Sequence, residues 1–330
     1  MSLTNRNQWD TFLTSHPDVH LLQTSDWGEF KEKFGWSPYY ILSKGSGAQI
    51  LFKRLPFGYS IAYIPKGPIG HNWGEVLNET ISLCQKKRAI ILFVEPDAWE
   101  EDLKNGYLEH GFNPSQINIQ PRRTLTLSLL GNESDWLAKM KQKTRYNIRL
   151  AQKSEITIEQ SSDVNLFNKL MNVTGNRDNF GVHSSDYYQL VFNQFSRGER
   201  CCLLIASYQK TPLAGLMVFR QGYRAWYFYG ASNNLERQRM PAYLLQWEAM
   251  RWSAAKGCTE YDLWGVPDET EDVLESKFTT RSDGLWGVYR FKRGFGGILK
   301  RTAGVFEKDL NPPMKKIFFT ALKLRKGSIA

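Results

Sequence analysis

Two stretches of this chain run through the same succession of patterns: strand, strand, strand, helix, strand. In the first, PYYILSKGSGAQILFKRLPFG alternates like a hairpin around a Gly-Ser-Gly turn, and YSIAYIPKGPIG is an apolar strand that breaks at Pro65 and Gly67. NWGEVLNETISLCQKKR then has helical spacing through Val76, Ile81 and Cys84, and ILFVEPD is a buried strand that stops at Pro96. In the second, CCLLIASYQKTPLAGLMVFRQG is again a hairpin and RAWYFYGASN an aromatic strand ending in a loop. PAYLLQWEAMRWSAAKG is a helix with Pro241 at its first turn and Gly257 past its end, and CTEYDLWGV closes the set. The separation is roughly 165 residues, the kind of internal period that marks a duplicated supersecondary unit. Residues 38–97 and 201–266 are therefore expected to be two copies of one mixed sheet plus helix, an α/β fold of α+β character.

The 330 residues, 42% of them hydrophobic, supply enough material for two cores. With 11 Trp and 15 Tyr the aromatic content exceeds what cores need, so clefts that stack sugars, bases or peptides are expected. A net charge of +10 points to an anionic partner: RNA, a nucleotide or an acidic membrane surface. Cys84, Cys201, Cys202 and Cys258 lack metal-ligand spacing and read as buried thiols. MSLTNRNQWD has no secretory pattern, and no window approaches 18 uninterrupted apolar residues, so a cytoplasmic protein is the expectation.

Three further stretches carry charge in patterns of their own. In VYRFKRGFGG, residues 288–297, Tyr289, Phe291 and Phe295 alternate with Arg290, Lys292 and Arg293 ahead of Gly294, Gly296 and Gly297. This reads as a short aromatic strand running into a flexible turn, with Lys292 as a permanent cation between aromatic neighbours. KMKQKTRYNIRLAQKSEI, residues 139–156, reads as one amphipathic basic helix. Its uncharged stripe is Leu137, Met140, Thr144, Ile148 and Ala151, and its cations include Lys143, Arg145 and Arg149, with no acid from Lys139 to Ser154. It is either a solvated linker or a wall that faces RNA or a diphosphate. The tail LNPPMKKIFFTALKLRKG joins Lys315, Lys316, Lys323, Arg325 and Lys326 to Ile317, Phe318, Phe319, Leu322 and Leu324. It reads as an amphipathic basic helix that lies on an anionic leaflet or docks on the first domain's core, and docking is preferred.

The strand and helix order matches the core of the GNAT acyltransferase fold. More specifically, QTSDWGEFK, IPKGP, KMKQKTRYNIR, YGASN followed by PAYLLQWEAM, YDLWGVP and YRFKRGFGG stand in the order seen in the FemABX family, which this chain resembles over nearly its whole length. That family consists of aminoacyl-tRNA-dependent transferases that build peptidoglycan interpeptide bridges. The resemblance implies two tandem GNAT-like domains, residues 1–132 with 304–330 and residues 133–303. It also implies no cofactor, aminoacyl-tRNA and a UDP-linked or lipid-linked muropeptide as partners, and action as a monomer. The long charged heptad segment of larger members is absent, so this chain looks like their short form. ERQRMPAY, ahead of the second helix, lacks the Gly-rich pyrophosphate signature of CoA users, though Arg237 and Arg239 stand just before a helix N-terminus.

By similarity, Lys292 is expected to stabilise the oxyanion formed when the acceptor amine attacks the aminoacyl ester, with Phe291 shaping the pocket. Glu95 matches an acidic position proposed in the family to take the amine proton, with Asp97 the neighbouring candidate and a cap or salt-bridge role the alternative. Lys31, Tyr227 and Tyr229 match positions that line the muropeptide pocket. RDNFGVHSSDYY adds Arg177, His183 and Tyr187, with His183 where relatives carry arginine. A histidine there is mostly neutral at pH 7, which weakens a phosphate contact. Two other readings stay open: a CoA-dependent or other GNAT-type N-acyltransferase, and a non-catalytic RNA-binding protein.

Overall fold

The computed structural model describes residues 3–103, 106–178 and 180–324, and the chain divides into two compact units, residues 1–122 with 301–330 and residues 123–300. Arg325 and Lys326 of the tail lie outside the described residues.

The first unit holds one seven-stranded sheet. Its strands are β1 (Leu3–Thr4), β2 (Trp36–Ser43), β3 (Ser46–Arg54), β4 (Ser60–Pro65), β5 (Ala89–Glu95), β6 (Asn113–Pro114) and, from the far end of the chain, β14 (Phe306–Asp309). The order is β1-β2-β3-β4-β5-β14-β6. Helix α1 (Arg6–Thr14) starts at an Asn5 capping box and α2 (Ser25–Glu32) at Thr24, whose side chain accepts from Trp27 N. The β2–β3 turn is made by Lys44 and Gly45, with φ of 47° and 74°, so Ser46 and Gly47 of the expected Gly-Ser-Gly turn belong to β3. Helix α3 (Trp73–Lys86) crosses from β4 to β5, which run parallel with Ile64 opposite Val94. All seven residues of β5 are buried, as expected of a central parallel strand.

The second unit repeats this plan. Its strands are β7 (Arg123–Ser128), β8 (Thr157–Ser161), β9 (Cys201–Tyr208), β10 (Thr211–Gln221), β11 (Arg224–Ser232), β12 (Glu260–Val266) and β13 (Ile298–Arg301), ordered β13-β7-β12-β11-β10-β9-β8. The antiparallel run β9-β10-β11 corresponds to β2-β3-β4. Helix α9 (Pro241–Ala255) makes the same crossover as α3, so that β11 and β12 are parallel with Ala225 opposite Tyr261. The strand beyond the closing one has different origins in the two units. β14 lies antiparallel to β5 with Phe306 opposite Val94, and β7 lies antiparallel to β12 with Leu127 opposite Tyr261. Because β7 belongs to the second sheet, the units part after Arg122, ten residues earlier than the expected boundary at 132. All four cysteines are buried and free.

The basic segment is two helices, α5 (Glu133–Lys139) and α6 (Gln142–Lys153), not one. Met140 is extended, with ψ 151°, and Lys141 N donates to Gly294 O, so the chain turns before α6 begins. Thr144, Ile148 and Ala151 are buried as the stripe requires, and Asn147 joins them. The tail is helix α12 (Pro312–Leu324), which docks within the first unit: Phe319 meets Phe93 edge to face at 6.5 Å, and Lys315 pairs with Glu307 and Asp309.

The largest departure from the sequence reading is at 288–297. The segment is helical, α11 (Trp286–Lys292), followed by a 3-10 turn over Arg293–Phe295, and Gly296 and Gly297 lead into β13. Trp286, Tyr289 and Lys292 recur every three residues and are the buried face, while the alternation of Tyr289 with Phe291 that suggested a strand is incidental to it. Gly297 has φ +96°, and a Cβ there would stand 2.6 Å from Thr126 O and 2.5 Å from the Leu127 side chain. Gly297→Ala should therefore destabilise the second unit by about 2–4 kcal/mol, combining left-handed strain with overpacking. An unchanged denaturation midpoint would show that this backbone approach is not needed.

Candidate active site

Lys292 ends α11 with only 4% of its surface exposed. Its Nζ donates to Gly265 O at 2.8 Å and Trp264 O at 3.2 Å, and lies 5.4 Å from the centre of the Tyr227 ring. Both carbonyls lie where β12 is bulged. Its register against β7 shifts between Asp262 and Gly265, and Trp264 sits at φ +62°. Asp262 holds the bulge, its Oδ1 accepting from Trp264 N at 2.7 Å and from the Thr124 hydroxyl. Burial lowers Lys292 to about 7, with the Asp262 charge pulling the other way. The permanent cation expected from sequence is thus an amine poised near neutrality. Burial also raises the Asp262 carboxyl, against the bonds from Thr124 and Trp264.

Helix α11 is anchored to α10 (Glu271–Lys277). The Tyr289 hydroxyl donates to Glu275 at 2.6 Å, and Arg293 Nε donates to the same carboxylate at 2.7 Å while its guanidinium covers the Phe278 ring at 3.8 Å. The Arg293 bond holds the Glu275 carboxyl below its ordinary range. Phe291 packs edge to face on Tyr243 at 5.0 Å and on Phe295 at 5.1 Å, a contact with the second unit's core.

Tyr227 and Tyr229, two apart on β11, would share a sheet face in a regular strand. Met217 of β10 is opposite Tyr229 and Val218 opposite Tyr227, so Phe228 is an inserted residue and the alternation is broken. Tyr227 joins the core beneath Lys292, and a Cβ on Gly230 would collide with its hydroxyl. Tyr229 joins a different group on helices α7 (Val164–Asp178) and α8 (Ser185–Ser196). Its hydroxyl lies 3.1 Å from that of Tyr187, and His183 stacks on Tyr187 at 3.8 Å. Burial pushes Tyr187 up to about 12 and also raises Tyr229. Arg177 is tied to Ser232 O at 2.8 Å and to Asp178 at 2.7 Å.

Among the expected anion contacts, the structure separates two kinds. Lys143, Arg149 and Arg237 are exposed. Arg145 instead donates to the Leu137 and Met140 carbonyls, closing the break between α5 and α6. Arg239 is likewise committed, bonded to Glu236 at 2.7 Å and to Ser154 O at 3.1 Å over the Tyr208 ring.

In the first unit, Glu95 ends β5 at 1% exposure. Its two oxygens are both engaged, Oε2 by the Tyr63 hydroxyl at 2.6 Å and Oε1 by Lys66 Nζ at 3.3 Å. This is the buried salt-bridge role that the sequence left open as the alternative to a base. Lys31 lies beside Lys53, both amines over the Trp36 ring at 5.8 and 5.5 Å. Burial, with Lys53 adding, brings Lys31 down to about 8. Lys53, Lys66 and Asp262 were missed in the sequence reading. An acid inside the apolar run EYDLWGV and a lysine directly after the strand IAYIP were the available signals.

The FemAB family matches this chain at residues 4–107, 101–209 and 196–323. A lipid II:glycine glycyltransferase of Staphylococcus epidermidis is 24% identical over 95% of this chain and 93% of its own length, and one of Staphylococcus aureus is 24% identical over 96% and 94%. Among solved structures, FemX superposes with a TM-score of 0.81 at 23% identity, covering 96% of this chain and 99% of its own. A tandem GNAT protein from the clavulanic acid biosynthesis pathway gives 0.55 at 10% identity over 93% and 97%. The duplicated plan is thus that of two tandem GNAT-like domains, and the chain belongs to the FemAB family.

Proposed function

We propose that this aminoacyltransferase moves an amino acid from aminoacyl-tRNA to the stem-peptide amine of a lipid-linked peptidoglycan precursor. The observation that carries the reading is the buried Lys292 amine, preset by two backbone carbonyls and close to neutrality in its titration. Support for the acceptor comes from the lipid II:glycine glycyltransferases, which match along almost their whole length. In the reaction the acceptor amine attacks the ester carbonyl carbon, and a tetrahedral oxyanion forms. The bond to the tRNA ribose oxygen then breaks as the amine proton passes to that oxygen. Lys292, as ammonium, meets the oxyanion with its remaining N–H, in surroundings where the attraction exceeds its value in water. Glu95, engaged at both oxygens, serves as a structural partner of Lys66 and not as the base. Ester aminolysis runs downhill, so no strong base is needed.

The exposed cations of α6, Lys143 and Arg149, are assigned to the tRNA backbone. In the second unit Arg177, His183, Tyr187 and Tyr229 are assigned to the acceptor, and in the first unit Lys31 with Lys53 to an anionic part of a substrate. Tyr227 supports Lys292 from below.

Lys292→Met should lower single-turnover transfer by on the order of 10²–10³ and leave both substrates' dissociation constants within about threefold. A defect wholly in binding would remove the lysine from the chemistry. The pH profile fixes which form works. The ammonium is present below the free-enzyme value of about 7, so kcat/KM should fall as pH rises through that point. Lys292→Arg, charged throughout, should lose this falling limb while remaining slower. A limb that rises through the same point would make Lys292 a base instead.

Changing Lys143 and Arg149 together to Gln should weaken tRNA binding and flatten its salt dependence by roughly 0.7–0.9 log units per lost phosphate contact. Arg145→Gln should lower stability and leave that slope alone, since its guanidinium is spent on helix carbonyls. Equal slopes for wild type and double variant would return α6 to the solvated-linker reading.

A further inference from the structure

The turn between β3 and β4 presents Phe57 to solvent at 86% exposure, more than any other large hydrophobic side chain among the described residues. Phe57 also has φ 61° and ψ 22°, a left-handed conformation that a bulky residue adopts only at a cost. The turn that holds it there is fixed at several points: Leu55 N donates to Tyr59 O at 2.8 Å, and the Arg88 guanidinium covers the Tyr59 ring at 4.6 Å. An apolar ring is thus held outward by a strained, well-anchored turn, against both local preferences.

Its surroundings are cationic. Arg54 ends β3 and is exposed, and Arg88, exposed just past α3, accepts at its carbonyl from Ser60 N at 3.1 Å. The tail reaches the same end of the sheet, because Leu310 and Asn311 both donate to Ile90 O immediately before α12. The first turns of α12 expose Lys316 and Ile317, the latter at 60%. Glu307 and Asp309, the acids on this stretch, are already paired with Lys315.

We infer that this end of the first unit's sheet docks on an anionic lipid bilayer, with Phe57 entering the acyl boundary and Arg54, Arg88 and Lys316 meeting lipid phosphates. One projecting aromatic at a sheet end that also exposes basic side chains suits an interface that is apolar beneath and negative on top. A nucleic acid would instead call for a groove lined by stacking faces. No described helix is long and apolar enough to cross a membrane. Contact through one ring and a few cations is peripheral and reversible because it buries little apolar area. The inference rests on the lipid-linked acceptor proposed above and adds the surface that brings the enzyme to it.

Sedimentation of the full chain with vesicles of phosphatidylglycerol and phosphatidylcholine, with neither tRNA nor acceptor present, tests the docking alone. Binding should be strong to the mixed vesicles and weak to pure phosphatidylcholine, and Phe57→Ser should reduce it by roughly tenfold. Phe57→Cys carrying an environment-sensitive fluorophore, selective because the native thiols are buried, should shift to the blue on the anionic vesicles. Phe57→Ser should keep full transfer to a water-soluble UDP-linked acceptor and lose it to an acceptor embedded in vesicles. Equal vesicle binding by wild type and Phe57→Ser would overturn the inference. So would a fluorophore response to tRNA but not to vesicles, or a self-association that Phe57→Ser abolishes. Failure of transfer with every acceptor would count against the proposed function and leave the vesicle result standing.

Discussion

An ammonium group withdrawn from water must be met by oriented oxygens, and the second unit supplies them at Lys292. The supply depends on a departure from regular strand geometry. A flat β12 would spend the Trp264 and Gly265 carbonyls on the ladder; the left-handed Trp264, held by Asp262 and Thr124, turns them toward Nζ instead. Helix α11 delivers the amine to that point, and Glu275 fixes the helix through Tyr289 and Arg293. The compensation is partial, which is why the lysine titrates near neutrality. An amine fully satisfied in the resting enzyme would have little to offer a developing negative charge.

The two copies keep one plan and differ where the closing strands end. β5 finishes in a carboxylate bonded by Tyr63 and Lys66, whereas β12 finishes in Val266 and carries its buried acid, Asp262, four residues earlier. One unit therefore buries an ion pair at the strand terminus and the other buries a lysine against backbone. The two units share the sheet plan, and the second departs from it by a bulge in β12 and the added helix α11.

Much of the plan was legible in the linear pattern, because its strongest signals are long and local. The apolar run of β5, the Pro241 start of α9 and the Gly257 stop each name an element without reference to anything distant. What could not be read depended on partners far along the chain. Tyr289 and Phe291 alternate as in a strand, and only packing on Glu275, Tyr243 and Phe295 makes their segment a helix. The insertion of Phe228 separates Tyr227 from Tyr229 although period two unites them. Arg145 sits among exposed cations, yet its guanidinium closes a helix break. The resemblance singles out Lys292, but the lowering of its amine to about 7 is a property of burial that a string of letters does not contain.

The strand β14 has a consequence for how this molecule is made. The first unit's sheet is interrupted after residue 122 and completed only by residues 306–309, with the whole second unit intervening. During synthesis the outer edge of β5, a run of apolar residues with unpaired amides and carbonyls, waits for its neighbour while about 210 residues are added, roughly ten to forty seconds at ordinary elongation rates. The second unit carries all its own strands in one stretch and can finish first. A nascent chain of this kind exposes an adhesive edge for the longest interval at the centre of its first sheet, which makes that edge the natural point of chaperone contact and of misassembly between neighbouring ribosomes.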